Sequence, residues 1–397
     1  MRFASGFAPL SFPEMKLAEI LSDDALRQRE FPVTRERIFL AHAGDCPLPR
    51  RVVEAVSDYA HQASLGDQEG VVFPTILEAG RRLAAGLLNC QPEEVAFLGP
   101  TSLGLSFVAS GLRLRRGDNI VIYHDDYPSN VYPWLALAAQ GVQVRLLNIR
   151  QLGVIRARDV MGQVDENTRL VALASCHFIS GYRIDHAVIG KFLRERGILF
   201  CLDGIQTLGA FPTTVEHVDF LAADAHKWLL GPCGAGVLYV RKELQERLNP
   251  PVYGWHNVRC PDYVAQEQII WRSGAKKFEA GSQNLLGLVG LVAALRLKQE
   301  IGVAAIAEEL LRQRAWLVPA LQAKGCNVLC ADAPPENASG ITTFVPPGDD
   351  AAALHEKLLA AQIVTSLRTD RRGQRYLRLS PHYYNTDAEL QRVVELL

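Results

Sequence analysis

The chain has 397 residues, too many for one ordinary core, so two domains or one large domain with a satellite are expected. Its 42 Lys and Arg against 43 Asp and Glu leave a net charge of −1, which gives no basic excess for nucleic acid or an anionic membrane and no acidic solvating tail. No run approaches the ~20 apolar residues that cross a bilayer, residues 1–9 lack a continuous signal-peptide core, and the eight cysteines contain no Cys-x-x-Cys pair. These features predict a cytoplasmic protein with reduced thiols and no metal site.

In chain order, short apolar runs at 119–123, 142–147, 170–174, 198–202, 220–223 and 236–240 read as strands, several of them buried on both faces. Helical patterns at 133–140 and 186–196 lie between them. The alternation predicts an α/β fold with a mostly parallel sheet covered by helices on both faces. At 285 the rhythm changes. A long apolar helical pattern over 285–300 meets Gly302, and a second follows over 304–324. Short strands at 327–329, 341–345, 364–367 and 376–380 then alternate with helices at 350–361 and 386–397, as in a smaller α+β domain. The expected division is a large domain over 31–285 and a small domain made of 1–30 with 286–397.

The residues that carry chemistry stand where strands end. Asp203-Gly204 follows the run 198–202, at the edge where open α/β sheets bind ligands, and Gln206 lies three further on. After the run 220–223 come Asp224, His226, Lys227 and Trp228, then the loop Gly231-Pro232-Cys233-Gly234-Ala235-Gly236. Gly99-Pro100-Thr101-Ser102 enters a helical stretch, a turn whose free N–H groups and hydroxyls suit an anion. Singly, each has a plain reading: a surface Lys, an Asp-Gly turn, a Ser or Thr N-cap. Their joint occurrence after successive buried strands is what points to a single site.

The pattern Asp203-Gly204-x-Gln206 with Asp224-x-His226-Lys227-Trp228-Leu229-x-Gly231-Pro232-x-Gly234-x-Gly236 resembles the class V aminotransferase family of fold-type I pyridoxal-phosphate enzymes. That family includes aminotransferases, cysteine desulfurases, selenocysteine lyases, kynureninase and isopenicillin N epimerase, and the desulfurase and epimerase-like branch is the one resembled. The likeness runs from about Phe39 to the C-terminal helix. It implies a large α/β/α domain with a smaller α+β domain, pyridoxal 5′-phosphate as cofactor, and Lys227, Asp203 and His226 as catalytic residues. Lys227 would carry the cofactor as a Schiff base, and Asp203 would keep the pyridine nitrogen protonated. Gln206 matches the residue on the phenolic oxygen, and His226 lies near the phosphate. Thr101 and Ser102 match the phosphate cup.

The segment 124–134, ending in Asn130-x-x-Pro133-Trp134, resembles the one that stacks a ring on the cofactor, with Tyr127 in that place. Ser175 is implied near the cofactor oxygen. Phe278-Glu279-x-Gly281-Ser282 resembles the segment whose hydroxyl reaches a neighbouring subunit's phosphate, which implies a homodimer built through Ser282. Arg378, in Leu377-Arg378-Leu379-Ser380, matches the clamp on the carboxylate of a small amino-acid substrate, where a planar guanidinium fits better than an ammonium. Ala43, His177 and Trp255 are expected beside the substrate. Arg183, Arg272, Arg368 and Arg371 are spare cations for a second carboxylate, and each is otherwise a surface residue.

Two departures matter. Desulfurases of the family carry a nucleophilic Cys shortly before the clamp, and the stretch 368–377 has none. Asp224 stands where desulfurases usually have a Ser donating to the phosphate. A dianion repels a carboxylate, so Asp224 is expected to point away, capping a turn or orienting His226. The expected activity is therefore a pyridoxal-phosphate enzyme on a small α-amino acid, with aminotransfer first. A cysteine or selenocysteine lyase, or an epimerase, without a catalytic Cys is the alternative, and a non-catalytic cofactor-binding protein a remote one. A nucleotide-binding oxidoreductase with its site at 231–236 is a weaker alternative: those glycines lead into a strand rather than opening a helix, and no acidic residue follows at about twenty positions.

Overall fold

Alternate residues of the central strands enter two different cores. Leu170, Ala172, Leu199 and Cys201 pack on one face of the sheet, and Val171, Leu173, Phe200 and Leu202 on the other. This is why those runs are apolar without a polar face. Burial of each large side chain contributes about 1.5–3 kcal/mol. The computed structural model describes residue 12, residues 14–72 and residues 75–397. The segment 1–9, read above for a signal peptide, lies outside them.

The strands are β1 Val95–Leu98, β2 Asn119–Ile122, β3 Gln143–Leu146, β4 Thr168–Ala174, β5 Leu199–Asp203, β6 Phe220–Asp224 and β7 Gly236–Val240. They form a seven-stranded sheet in the order β1-β7-β6-β5-β4-β2-β3. The strands β3, β2, β4, β5 and β6 are parallel, and β7 is antiparallel to both neighbours. β1 therefore points the same way as β6. The carboxyl ends of β1, β2, β4, β5 and β6 lie along one edge, so Thr101, Tyr127, Ser175, Asp203 and Lys227 all follow strands that open there.

Helices α1 Arg50–Ala63, α2 Thr75–Leu88, α3 Thr101–Gly111 and α4 His186–Glu195 cover this sheet. A second, antiparallel sheet holds β8 Asn327–Val328, β9 Thr342–Val345, β10 Ser366–Thr369 and β11 Arg375–Leu379 in the order β10-β11-β9-β8. Its apolar side packs with Leu317, Leu354, Leu358, Leu390 and Val393 of α6 Val303–Ala323, α7 Ala351–Ala360 and α8 Asp387–Glu395. The helix α5 Leu285–Ile301, which the sequence places in the small domain, puts Leu285, Leu288, Val289, Leu291, Val292 and Leu295 into the core of the large sheet. The single helix expected at 133–140 is split into Tyr132–Leu135 and a 3₁₀ turn Ala136–Gln140, ended by Gly141 at φ +83°. No described helix is long and apolar enough to cross a membrane.

Glu279, part of the resembled Phe-Glu-x-Gly segment, is a structural anchor. Its Oε2 accepts from Arg81 Nη2 at 2.7 Å, and its Oε1 accepts the main-chain N–H of Phe97 in β1 at 2.7 Å, all three groups being buried. Removing one partner of such a pair leaves the other charge buried and uncompensated. Glu279→Ala should destabilise the protein by about 3–5 kcal/mol, read as a lower urea midpoint with unchanged slope.

Candidate functional site

Lys227 projects from the loop that joins β6 to β7, and one carboxylate closes that loop. Asp224 Oδ1 accepts the N–H groups of Ala225 at 2.7 Å and Ala235 at 3.2 Å, while Oδ2 accepts that of Gly234 at 3.1 Å. His226 Nδ1 lies 3.0 Å from the same Oδ2. The main-chain N–H of Asp224 donates to Thr101 Oγ1 at 2.9 Å, which ties the first turn of α3 to the hairpin. Asp224 is thus turned into the hairpin and beside His226. Leu230 takes the left-handed conformation at φ +63°, a strain of roughly 1–2 kcal/mol for a non-glycine residue. It is held by the Gly231 N–H donating to Ala225 O at 2.9 Å.

Lys227 itself is 5 % exposed, and its Nζ lies 5.1 Å from the centroid of the Tyr127 ring. Burial lowers its pKa to about 8; Asp203 opposes that shift and Arg378 and Arg368 add to it. At neutral pH the amine therefore deprotonates far more readily than a surface lysine. Asp203 is buried at the end of β5, where its Oδ1 accepts the Ile205 N–H at 3.0 Å. Burial pushes its carboxyl up to about 6. Tyr127 is half exposed and meets Phe178 edge-on at 5.3 Å. Ser175 is buried beside Asp203, its Oγ accepting from Thr207 Oγ1 at 2.8 Å. Ser102 lies half-buried in the first turn of α3.

Arg378 reaches the site from the small sheet. Its guanidinium is buried, donates from Nη1 to Phe178 O at 2.6 Å and from Nη2 to Ser366 Oγ at 3.3 Å, and leaves Nε without a partner. Burial, and then the charge of Arg368, hold its pKa well below the usual guanidinium range. Arg368 and Arg378 sit on one face of adjacent strands, since Ser366 pairs with Arg378 and Arg368 with Tyr376. A Cβ placed on Gly44 would lie 3.1 Å from Arg368 Nη2 and 3.3 Å from Arg378 Nη2. Neither arginine forms an ion pair among the described residues. Two neighbouring guanidiniums without an acid are a ready site for an anion.

The other spare cations are placed differently. Arg183 and Arg371 are committed to neighbouring groups: Arg183 donates to Ala338 O and Pro335 O, and Arg371 to His124 O and Asp125. Arg272 is exposed.

The other expected site residues have partners within the chain. The Gln206 amide is already engaged, its Nε2 donating to Ala43 O and its Oε1 accepting from Trp228 Nε1, each at 2.9 Å. Gln206 therefore couples the loop after Phe39 to the residue that follows Lys227. Ala43 is buried, with its N–H on Ser380 Oγ at 3.0 Å. Both ring nitrogens of His177 are occupied, Nε2 by Asp125 O at 3.0 Å and Nδ1 by Ser180 at 3.1 Å, and burial lowers its pKa to about 4. Trp255 has His256 and Tyr263 as its ring neighbours, at 5.3 and 5.4 Å. Ser282 is exposed, 3.4 Å from Glu69 Oε1.

Neither Asp126 nor Ser380 is marked by a local pattern in the sequence: Asp126 meets Asn130 across a turn rather than along a helix face. A cleft of roughly 800 Å³ lined by Asp125, Arg150, Arg156, Tyr182 and Arg371 opens nearby but includes neither Lys227, Asp203 nor Arg378. The convergence of groups, rather than the size of the hollow, marks the site.

A buried low-pKa amine, a buried carboxyl, an exposed ring face beside the amine, a helix start and an unpaired guanidinium fit pyridoxal phosphate bound with an amino acid. Comparison with known proteins agrees. The family described as Aminotransferase class-V matches residues 38–393. The chain is 30 % identical to a probable cysteine desulfurase of Methanothermobacter thermautotrophicus, over 93 % of this chain and 96 % of that one. The solved cysteine desulfurase CsdA of Escherichia coli superposes with TM-score 0.83 at 25 % identity, covering 94 % of this chain and 97 % of the other. A solved C-DES mutant with glycine covalently linked to the PLP cofactor shares the fold with TM-score 0.84 at 22 % identity, over 93 % and 98 %.

Borohydride trapping of pyridoxal phosphate on the apoprotein should rise with pH to a midpoint near about 8, because the neutral amine is the nucleophile. Lys227→Arg should abolish the trapped product in the peptide mass map.

Proposed function

The chain belongs to the class V aminotransferase family, whose cofactor is pyridoxal phosphate, and from that premise we propose that it is a lyase cleaving the carbon–sulfur bond of a small α-amino acid such as cysteine. Aminotransfer, placed first on sequence grounds, yields to this alternative because the archaeal and Escherichia coli relatives are named cysteine desulfurases.

The observation that carries the reading is the turn before Arg378. Asp370 and Gln374 close it with a main-chain bond of 3.0 Å, Asp370 Oδ1 caps Arg372 and Gln374, and Tyr376 OH donates to Asp370 Oδ2 at 3.0 Å. It is tight and holds no thiol to take up sulfur. Cys176, whose charge would act on Arg378, is buried, and burial pushes its thiol up to about 11. Such a thiol is a poor nucleophile. Sulfur would then leave as a free species, by elimination with water as the only co-reactant, giving pyruvate, ammonia and sulfide.

The bound cofactor supplies the electron sink that stabilises a carbanion at the substrate α-carbon. The chain's own groups do the rest. Arg378 would hold the carboxylate, Lys227 Nζ would move the α-proton, Asp203 would keep a proton on the ring nitrogen, and Tyr127 would offer its ring face to the cofactor. Thr101, Ser102 and His226 would hold the phosphate. Ser282 of a second copy completes that cup in a homodimer; its exposure and the exposed apolar residues Tyr253, Tyr263, Val264 and Ile269 support such an interface.

Holoenzyme given L-cysteine should yield pyruvate and sulfide in equal amounts, with no persulfide on the protein. Accumulation of pyridoxamine phosphate with a keto acid would instead restore aminotransfer. Arg378→Ala should raise KM about tenfold to a hundredfold, the loss of a charge-assisted pair of about 1.5–3 kcal/mol, with cofactor absorbance retained.

A further inference from the structure

Asp126 is a buried carboxylate that none of these roles uses. It is 7 % exposed, directly precedes Tyr127 and accepts three N–H groups. Oδ1 takes the main chain of Tyr127 at 2.7 Å, and Oδ2 takes Asn130 Nδ2 at 3.0 Å and the main chain of Ala174 at 3.1 Å. Trp134 Nε1 in turn donates to Asn130 Oδ1 at 3.0 Å. Every partner is a donor, an arrangement that the ionised form satisfies best. No cation pairs with Asp126 among the described residues. Ala174 is in register with Asp203 across β4 and β5, so the bond from Ala174 places Asp126 against the strand end that carries Asp203. Two buried carboxylates thus lie at neighbouring strand ends.

We propose that Asp126 is a positioning residue with two linked tasks: it fixes the main chain of Tyr127, and so its ring, beside Lys227, and it sets a second carboxylate at the strand end that carries Asp203, where the added negative charge favours a cationic pyridine nitrogen. The inference rests on the Lys227–Asp203 cofactor site proposed above. Burial, followed by the charge of Asp203, pushes Asp126 up to about 7, and burial pushes Asp203 up to about 6. Two buried carboxylates favour a cation beside them, and a protonated ring nitrogen would be such a cation. The segment ending in Asn130-x-x-Pro133-Trp134 then has a physical purpose, since Trp134 orients Asn130, whose amide favours the ionised form of Asp126 against burial.

Holoenzyme rebuilt with pyridoxal phosphate labelled with nitrogen-15 in the ring reports that proton through the nitrogen chemical shift. Wild-type protein should show the protonated position. Asp126→Asn should move the signal toward the unprotonated position and release cofactor about tenfold faster, the equivalent of one pKa unit. Asn130→Ala keeps the carboxylate but removes one donor, so it should give a smaller change of the same sign, and it tests the proposal even if Asp126→Asn does not fold. A wild-type shift and wild-type release in the variants would overturn the role of Asp126 and leave the cofactor site standing. Absence of any bound ring-nitrogen signal in wild-type protein would instead overturn the cofactor site itself.

Discussion

The Asp224 carboxylate takes three main-chain N–H groups from its own hairpin and lies against His226, while its main-chain N–H is held by Thr101. Where Lys227 stands depends on these bonds. They fix the turn between β6 and β7, join it to the start of α3, and hold the strained conformation at Leu230. A serine could cap part of this turn but could not accept three donors at once. The carboxylate thus shapes the loop from behind, leaving the hydroxyls and N–H groups of the α3 start for an anion.

The charges of the site are segregated. Asp203 and Asp126 lie at the ends of β4 and β5, Arg368 and Arg378 on the small sheet, and Lys227 is under the opposing influences of Asp203 and both arginines. In a buried setting such charges act strongly on one another. The arrangement suits a ligand that presents a cationic ring nitrogen to one end and a carboxylate to the other, and it keeps the amine between them easy to deprotonate.

Much of this was legible in the sequence because it is local. Lys227, Asp203 and Thr101 follow apolar strand runs directly, so strand ends alone place them at one edge. The stance of Asp224 followed from charge repulsion. Other features depend on contacts far apart in the chain. The Gln206 amide is taken by Ala43 and Trp228, and the first of these is 163 residues away. Asp126 gains its meaning only when β4 and β5 come into register beside it. The helix α5 is apolar nearly all round, so its pattern does not say which core it enters, and it packs against the large sheet. β1 is a four-residue run held by the distant Glu279, a bond that no local pattern announces.

Lys227 stands on the large sheet and Arg378 on the small one; Ser380 ties the end of the small sheet to the N–H of Ala43 and the carbonyl of Leu40, and Gln206 on the large-domain side donates to Ala43 O. On the proposed reading, an amino acid held by its carboxylate and worked on at its α-carbon would act as a gauge block between the two sheets. Side chains of different length leave that span unchanged, because the carboxylate and α-carbon are common to all of them. Discrimination among amino acids would then come from the walls beside the gauge, the flank at Tyr127 and Phe178, rather than from the arginine that every amino acid would grip.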